Sequence, residues 1–230
     1  MKSLIIKDLG LLSYRTAYAI QLDILKEKKR AGGEDYLLFA EHPNVFTIGR
    51  TGSRDNLFVD EALLKENGID VIDIDRGGDI TFHGPGQLVA YPIFDLRDHA
   101  KDVRLFIRNL LRVAELSIAE YGLRADGDNR GTGLWVNGEK IGFLGIGISK
   151  WVTFHGMSIN AEVDLDFFSM IRPCGLENLR VGSLQRLLRR HINQDRLKNT
   201  IKEKFCDVFG FEHTKTCAPD AFMAQQEAAG

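Results

Sequence analysis

The sequence predicts an α+β fold: a single domain with a mixed or antiparallel sheet flanked by helices. Three observations carry that expectation. Short apolar runs of strand character gather in the first two-thirds of the 230 residues, and helical periodicities stand at both ends. No linker, repeat or composition break divides the chain. No Gly-x-Gly-x-x-Gly joins a strand to a helix and no Walker-type loop occurs, which argues against dinucleotide and P-loop architectures.

In chain order, Leu4 to Asp8 reads as a strand, and Ser13 as the N-cap of a helix to about Arg30. Its basic end, Lys26 to Arg30, reads as a solvated face suited to a helix C-terminus. Tyr36–Glu41 and Val45–Ile48 are short strands separated by the turn His42-Pro43-Asn44. Asp60 caps a short helix ending before Gly68, and strands follow at Gly68–Ile74 and Leu88–Phe94. Val103, Phe106, Ile107, Leu110, Leu111, Ala114 and Ile118 recur at helical spacing, so a helix spans about Lys101 to Tyr121 and stops at Gly122. Three strands come next, Gly133–Val136, Lys140–Ser149 and Val152–Asn160, the first two joined through Asn137-Gly138, a hairpin dipeptide. Asp166–Met170, Ser183–Arg190 and Gln194–Phe209 read as helical. The domain is expected to occupy residues 1–217, and the polar, alanine-rich tail 218–230 to fray.

A net charge of −2 gives no electrostatic reason to expect nucleic acid or an anionic membrane as partner. No apolar stretch reaches membrane-spanning length, and Met1 to Lys7 is too short and charged for a signal peptide. The three cysteines, Cys174, Cys206 and Cys217, have no metal-ligand spacing, so free thiols in the cytoplasm are expected, and no metal.

Two segments carry candidate chemistry. Arg76 to Gln87 holds four glycines and a proline in twelve residues, a loop so poor in side chains that its backbone can approach a ligand closely. Tight turns in a meander are the plainer reading of the same residues. Arg172-Pro173-Cys174-Gly175 fixes the backbone before a thiol and removes bulk after it, presenting the sulfur at an open turn. Such a thiol is inert without a cation or base nearby. Lys140, at the start of an otherwise apolar strand, is the first candidate base, since burial there disfavours the ammonium. His83 and His155 compete for that role, and spacing alone does not choose among the three. His42, His99, His191 and His213 fall in turn or surface contexts; Cys206 lies in a helical apolar pattern and Cys217 in the tail.

Taken together, Arg76-Gly77-Gly78, Phe82-His83-Gly84-Pro85-Gly86-Gln87, Gly138-Glu139-Lys140-Ile141, His155-Gly156 with Asn160, and Pro173-Cys174-Gly175 resemble the lipoate-protein octanoyltransferases. Glu41-His42-Pro43, Phe46 to Arg50 and Val181-Gly182-Ser183-Leu184 resemble flanking motifs of that family, so the likeness runs in order from about residue 10 to residue 190. The resemblance implies the fold of lipoate-protein ligases and of the catalytic domain of biotin protein ligases. It also implies a reaction that moves octanoyl from acyl carrier protein to a lysine of a lipoyl domain, the first step of endogenous protein lipoylation.

Carried over, the catalytic residues are Cys174, which holds the acyl group as a thioester, and Lys140, which deprotonates it. Arg76, Gly77, Gly78, Asp79, Ile80, Thr81, Phe82 and His83 line the acyl pocket with Phe143, Leu144, Gly145, Gly156, Met157 and Ser158. Gly84 and His155 support them, and backbone N–H groups beside Gly84 or around Cys174-Gly175 are expected to hold the oxyanion. Thioester exchange needs no ATP, so no cofactor is implied. The implied acceptors are the lipoyl domains of 2-oxoacid dehydrogenase complexes and the glycine cleavage H protein. Phe143 is bulkier than the family's usual residue, with Gly142 small beside it, and Asp79 reads as an exposed variation. An ATP-dependent ligase of the same fold, a cysteine enzyme shuttling octanoyl between lipoyl-bearing proteins, and a non-catalytic binder of lipoyl domains are the rival readings.

Overall fold

The computed structural model describes residues 2–127, 133–176 and 179–216. Cys217 and the tail expected to fray lie outside the described residues. In order the elements are β1 (Ser3–Leu11), α1 (Tyr14–Ala31), β2 (Asp35–Glu41), β3 (Val45–Ile48), α2 (Glu61–Glu66), β4 (Asp70–Asp73), β5 (Ile80–His83), β6 (Gln87–Ile93), α3 (Val103–Ala119), β7 (Asp126–Gly127), β8 (Gly133–Val136), β9 (Glu139–Ser149), β10 (Val152–Asn160), α4 (Leu184–Leu188), α5 (Gln194–Phe209) and β11 (His213–Thr216). The larger sheet runs β11-β1-β2-β6-β10-β9-β8-β7, and a smaller one runs β4-β3-β5. β1 pairs in parallel with β2 and β11, while β2, β6, β10 and β9 pair antiparallel, so the large sheet is mixed. The fold is α+β, with helices on both faces of that sheet.

Strand alternation builds the layers. Leu38 and Ala40 of β2 with Val89, Tyr91 and Ile93 of β6 face Ala17, Ile20 and Leu25 of α1. Leu37, Phe39, Leu88 and Ala90 point the other way, into a core closed by Phe106, Leu110 and Ala114 of α3 and Leu197, Ile201 and Phe205 of α5. The small sheet packs its own core of Phe46, Ile48, Ile80 and Phe82 against Phe143 and the 3-10 turn at Asp166–Met170. The site lies where this small sheet meets β9 and β10.

Local signals act as the sequence suggests at most ends: Ser13 accepts the N–H of Thr16, Asp60 that of Ala62, and Asp102 those of Arg104 and Leu105. Asn137 and Gly138 both take positive φ (50° and 78°), the geometry of a tight hairpin turn between β8 and β9.

Three expectations need correction. The glycine-rich run is not one loop, because Ile80–His83 forms β5 and pairs antiparallel with β3. The basic end of α1 is not wholly solvated: Lys28 is buried, donates to the carbonyls of Gly33 and Glu34, and sits 3.0 Å from Asp35. The His99 side chain is buried too, hydrogen-bonded to Asp35 and stacked on Phe94. Tertiary contacts decide both, since Asp35 is presented by β2, not by the helix itself. The edge strand β11 also went unread, its four exposed residues carrying no apolar pattern. Among the described residues no helix is long and apolar enough to cross a membrane.

Phe94 lies fully buried among the rings of Phe106, Phe205, Phe209 and Phe211. Phe94→Ala is expected to lower unfolding free energy by about 3–5 kcal/mol in a denaturant titration.

Candidate active site

Lys140 and Cys174, 34 residues apart, meet here: Lys140 Nζ donates to Cys174 Sγ at 3.3 Å. Three local devices bring this about. The β8–β9 register slips between Leu134, opposite Gly142, and Trp135, opposite Lys140, so Ile141 is an extra residue that re-aims the strand start. The segment 180–182 then replaces β10 beside β9, with Lys140 N–H donating to Arg180 O (2.8 Å) and Gly182 N–H to Lys140 O (2.9 Å). Gly133 clears the path for the lysine stem, since a Cβ there would overlap Lys140 Cε and lie 2.9 Å from Nζ. Lys140 is fully buried, its amine 4.8 Å from the centre of the Phe143 ring, and among the described residues no carboxylate pairs with it.

Cys174 sits in the 3-10 turn Pro173–Gly175 with φ 57° and ψ 19°, a left-handed conformation uncommon for a residue with a side chain. The thiol is half-buried and lines a cavity of about 440 Å³. The cavity runs from Cys174 and Leu176 past Phe143 to Ile146 of β9 and His155 to Ser158 of β10, with the glycine-rich segment as one wall and Tyr14, Val89 and Tyr91 as others. A largely apolar slot with a few polar groups is the ordinary form of a small-ligand site.

Arg76 is the organising side chain of that wall. Its Nη2 donates to Thr47 O (2.7 Å) and Thr47 Oγ1 (3.0 Å), and Nη1 to Gly77 O. It threads between glycines: a Cβ on Gly49 would lie 2.8 Å from Nη1, and one on Gly145 2.9 Å from Cδ. Burial pulls its pKa below the ordinary value, yet a guanidinium keeps its charge.

The chain matches the lipoyl protein ligase A/B catalytic domain over residues 13–206. It is 38% identical to the octanoyltransferase of Solibacter usitatus over 92% of this chain and 96% of that one. Its identity to the Caldicellulosiruptor bescii octanoyltransferase is 43%, over 88% and 90% of the two chains. The chain belongs to the octanoyltransferase family. Octanoyltransferases are acyltransferases, and the fold agrees. A bipartite lipoate protein ligase from Thermoplasma acidophilum superposes with a TM-score of 0.77 at 16% identity, covering all of this chain and 92% of that one. The biotin protein ligase of Aquifex aeolicus gives 0.54 at 10% identity, covering 91% and 71%.

Within this octanoyltransferase-family chain, thirteen of the expected pocket residues, Arg76 to Thr81, His83, Phe143 to Gly145 and Gly156 to Ser158, line the cavity, as does His155. Phe82 does not. Strand alternation in β5 turns it away, into a stack with Phe167 at 4.6 Å. Gly84 also lies outside the cavity, packed under the Phe82 ring. The N–H of Gly175 is already committed to Arg172 O (3.0 Å), so it is not an oxyanion donor in this conformation. Asp79 is not an exposed variation: its carboxylate accepts from Asn56 Nδ2 and from the N–H groups of Ser53 and Ile80, tying the loop before α2 to the glycine-rich wall.

Neither histidine candidate touches the thiol. His83 Nδ1–H donates to Gln87 Oε1 at 2.6 Å; Gln87 Nε2 donates to Asn160 Oδ1, and Asn160 Nδ2 to Gly182 O, a chain ending beside Lys140. His155, at φ 56°, receives the Tyr14 hydroxyl on Nδ1 and donates from Nε2 to Asp75 at 2.9 Å. Burial alone would raise the Asp75 carboxyl, but hydrogen bonds from His155 and Tyr18 hold it below its ordinary value. His42, read from sequence as a turn residue, is fully buried, donating to Leu12 O and accepting from Tyr91 OH. Tyr14, Tyr91 and Gly133 are site residues that sequence reasoning missed. Tyr14 follows the N-cap Ser13 without a signal of its own, Tyr91 reads as an ordinary position of an apolar strand, and Gly133 only as a strand end. Among the described residues no group of His, Cys, Asp or Glu is arranged to hold a metal ion.

Burial pushes His42 and His155 down to about 4 and His83 to about 3. The unfolded chain therefore binds protons these folded histidines refuse, and stability falls as pH drops from about 6.5 towards 4. Urea midpoints measured at pH 7, 6 and 5 should decrease in that order. Gly133→Ala should leave the melting temperature nearly unchanged but displace the Lys140 amine, slowing iodoacetamide alkylation of Cys174 by roughly tenfold.

Proposed function

We propose that this chain transfers octanoyl from octanoyl-acyl carrier protein to a lysine ε-amine of lipoyl domains, through a thioester on Cys174. The observation that carries the reading is the 3.3 Å contact of a fully buried lysine amine with a thiol that lines a largely apolar cavity able to hold an acyl chain. In the first half-reaction the Cys174 S–H proton passes to Lys140 Nζ, and the thiolate attacks the donor's carbonyl carbon. The bond from that carbon to the carrier's sulfur breaks, and the departing thiolate recovers the proton from Lys140. In the second, the acceptor amine attacks the Cys174 thioester, the C–S bond breaks, and Lys140 relays the amine's proton to the departing sulfur. A thiol serves because it both attacks and leaves well, and amide formation from a thioester runs downhill.

The apolar wall of Phe143, Leu144, Met157 and Val89 receives the acyl tail. Seven carbons beyond the carbonyl, at about 0.8 kcal/mol each, give about 6 kcal/mol of burial to fix chain position. The acceptors are lipoyl domains of 2-oxoacid dehydrogenase complexes and the glycine cleavage H protein, and the transfer opens endogenous protein lipoylation in the cytoplasm. The relatives' name and the fold of a lipoate protein ligase support the octanoyl and lipoyl-domain parts of this reading.

Incubation with octanoyl-acyl carrier protein should add one octanoyl mass to the wild-type protein, labile to hydroxylamine. Cys174→Ala should show no adduct, and Lys140→Ala should be acylated at least ~100-fold more slowly. Full acyl transfer in either variant, or an ATP-dependent reaction with free octanoate and no adduct, would remove the mechanism.

A further inference from the structure

The chain is weakly acidic overall, yet residues 172–190 hold five arginines against one glutamate. The fold brings Arg180 and Arg186 of this run against the start of β9, where Lys140 lies. Arg180 gives its carbonyl to the N–H of Lys140 and leaves its side chain exposed. Arg186 is fastened: Nη2 donates to Val181 O at 2.7 Å and pairs with Glu139 at 2.8 Å, which clamps α4 against the start of β9. Arg189, the left-handed C-cap of α4, and Arg190 just past it are both exposed. Among the described residues none of Arg180, Arg189 and Arg190 has an ion-pair partner, and the nearby acids Glu139 and Glu162 are already engaged with Arg186 and His191.

We propose that Arg180, Arg189 and Arg190 form the docking surface for the acyl donor, an acidic carrier domain presenting its thioester on a phosphate-linked arm. The inference rests on the donor assigned under the proposed function. Exposed guanidinium groups without internal partners suit carboxylates and phosphates, which they bind bidentately. The donor arm carries such a phosphate and the acceptor lysine does not, so the surface belongs to the first half-reaction. The adjoining turn at Cys174 then receives the end of the arm.

The test compares Arg189→Glu/Arg190→Glu with wild type in two acylation reactions of Cys174 followed by intact mass. One donor is octanoyl-acyl carrier protein; the other is octanoyl-pantetheine, which has the same thioester but neither phosphate nor protein. With the carrier donor, kcat/KM is expected to fall roughly tenfold or more in the double variant, and wild-type rates to fall with added salt. With octanoyl-pantetheine the rates are expected to match wild type within about twofold. Equal losses with both donors, or no loss with the carrier, overturn the proposal. A loss confined to discharge of pre-acylated enzyme onto a lipoyl domain also overturns it, assigning the surface to the acceptor. Wild-type protein that neither donor acylates removes the donor reading itself, an outcome distinct from any pattern among the variants.

Discussion

The contact between the Lys140 amine and the Cys174 thiol is the constraint around which this end of the molecule is arranged. A lysine with no exposed surface has lost its hydration, and among the described residues no carboxylate replaces it. The thiol and the face of Phe143 are what the interior offers instead. Everything that fixes the amine follows from this: the extra residue at Ile141, the clearance at Gly133, and the 180–182 segment gripping the Lys140 backbone on both sides.

A second layer of order surrounds the slot. Arg76 ties the glycine-rich wall to β3 through Thr47, and it can lie there only because Gly49 and Gly145 lack side chains. The glycines of this family motif thus serve an arginine's passage as much as a ligand's. Behind them, His42, His83 and His155 are neutral hydrogen-bonding elements, each depressed by burial and each pinned by a partner from another strand or helix. The chain from His83 through Gln87 and Asn160 to Gly182 joins the pocket wall to the segment that holds Lys140.

Much of this was legible in the residues. Caps at Ser13, Asp60 and Asp102, the Asn137-Gly138 turn and the alternation of β2 and β6 are local, and local chemistry specified them. The cysteine turn was visible because Pro173 and Gly175 flank a thiol. What could not be read were facts of pairing. Phe82 looked like a pocket residue until β5 formed and its alternation sent the ring into the core. Lys28, His42 and His99 looked solvated until Asp35, Tyr91 and Leu12 arrived from distant elements.

The sequence by itself determined most of the elements, the α+β class and the residue types of the site, because caps, periodicity and turn chemistry act over a few residues. Only the tertiary structure decided which of the three side chains meets Cys174. Along the chain Lys140 was the first candidate, His83 and His155 competed with it, and only the family resemblance singled out the lysine. A one-residue slip between β8 and β9, with a β10 that gives way to residues 180–182, settles the choice in favour of the lysine. Register between strands is set by the packing of whole faces, and no window of sequence contains it.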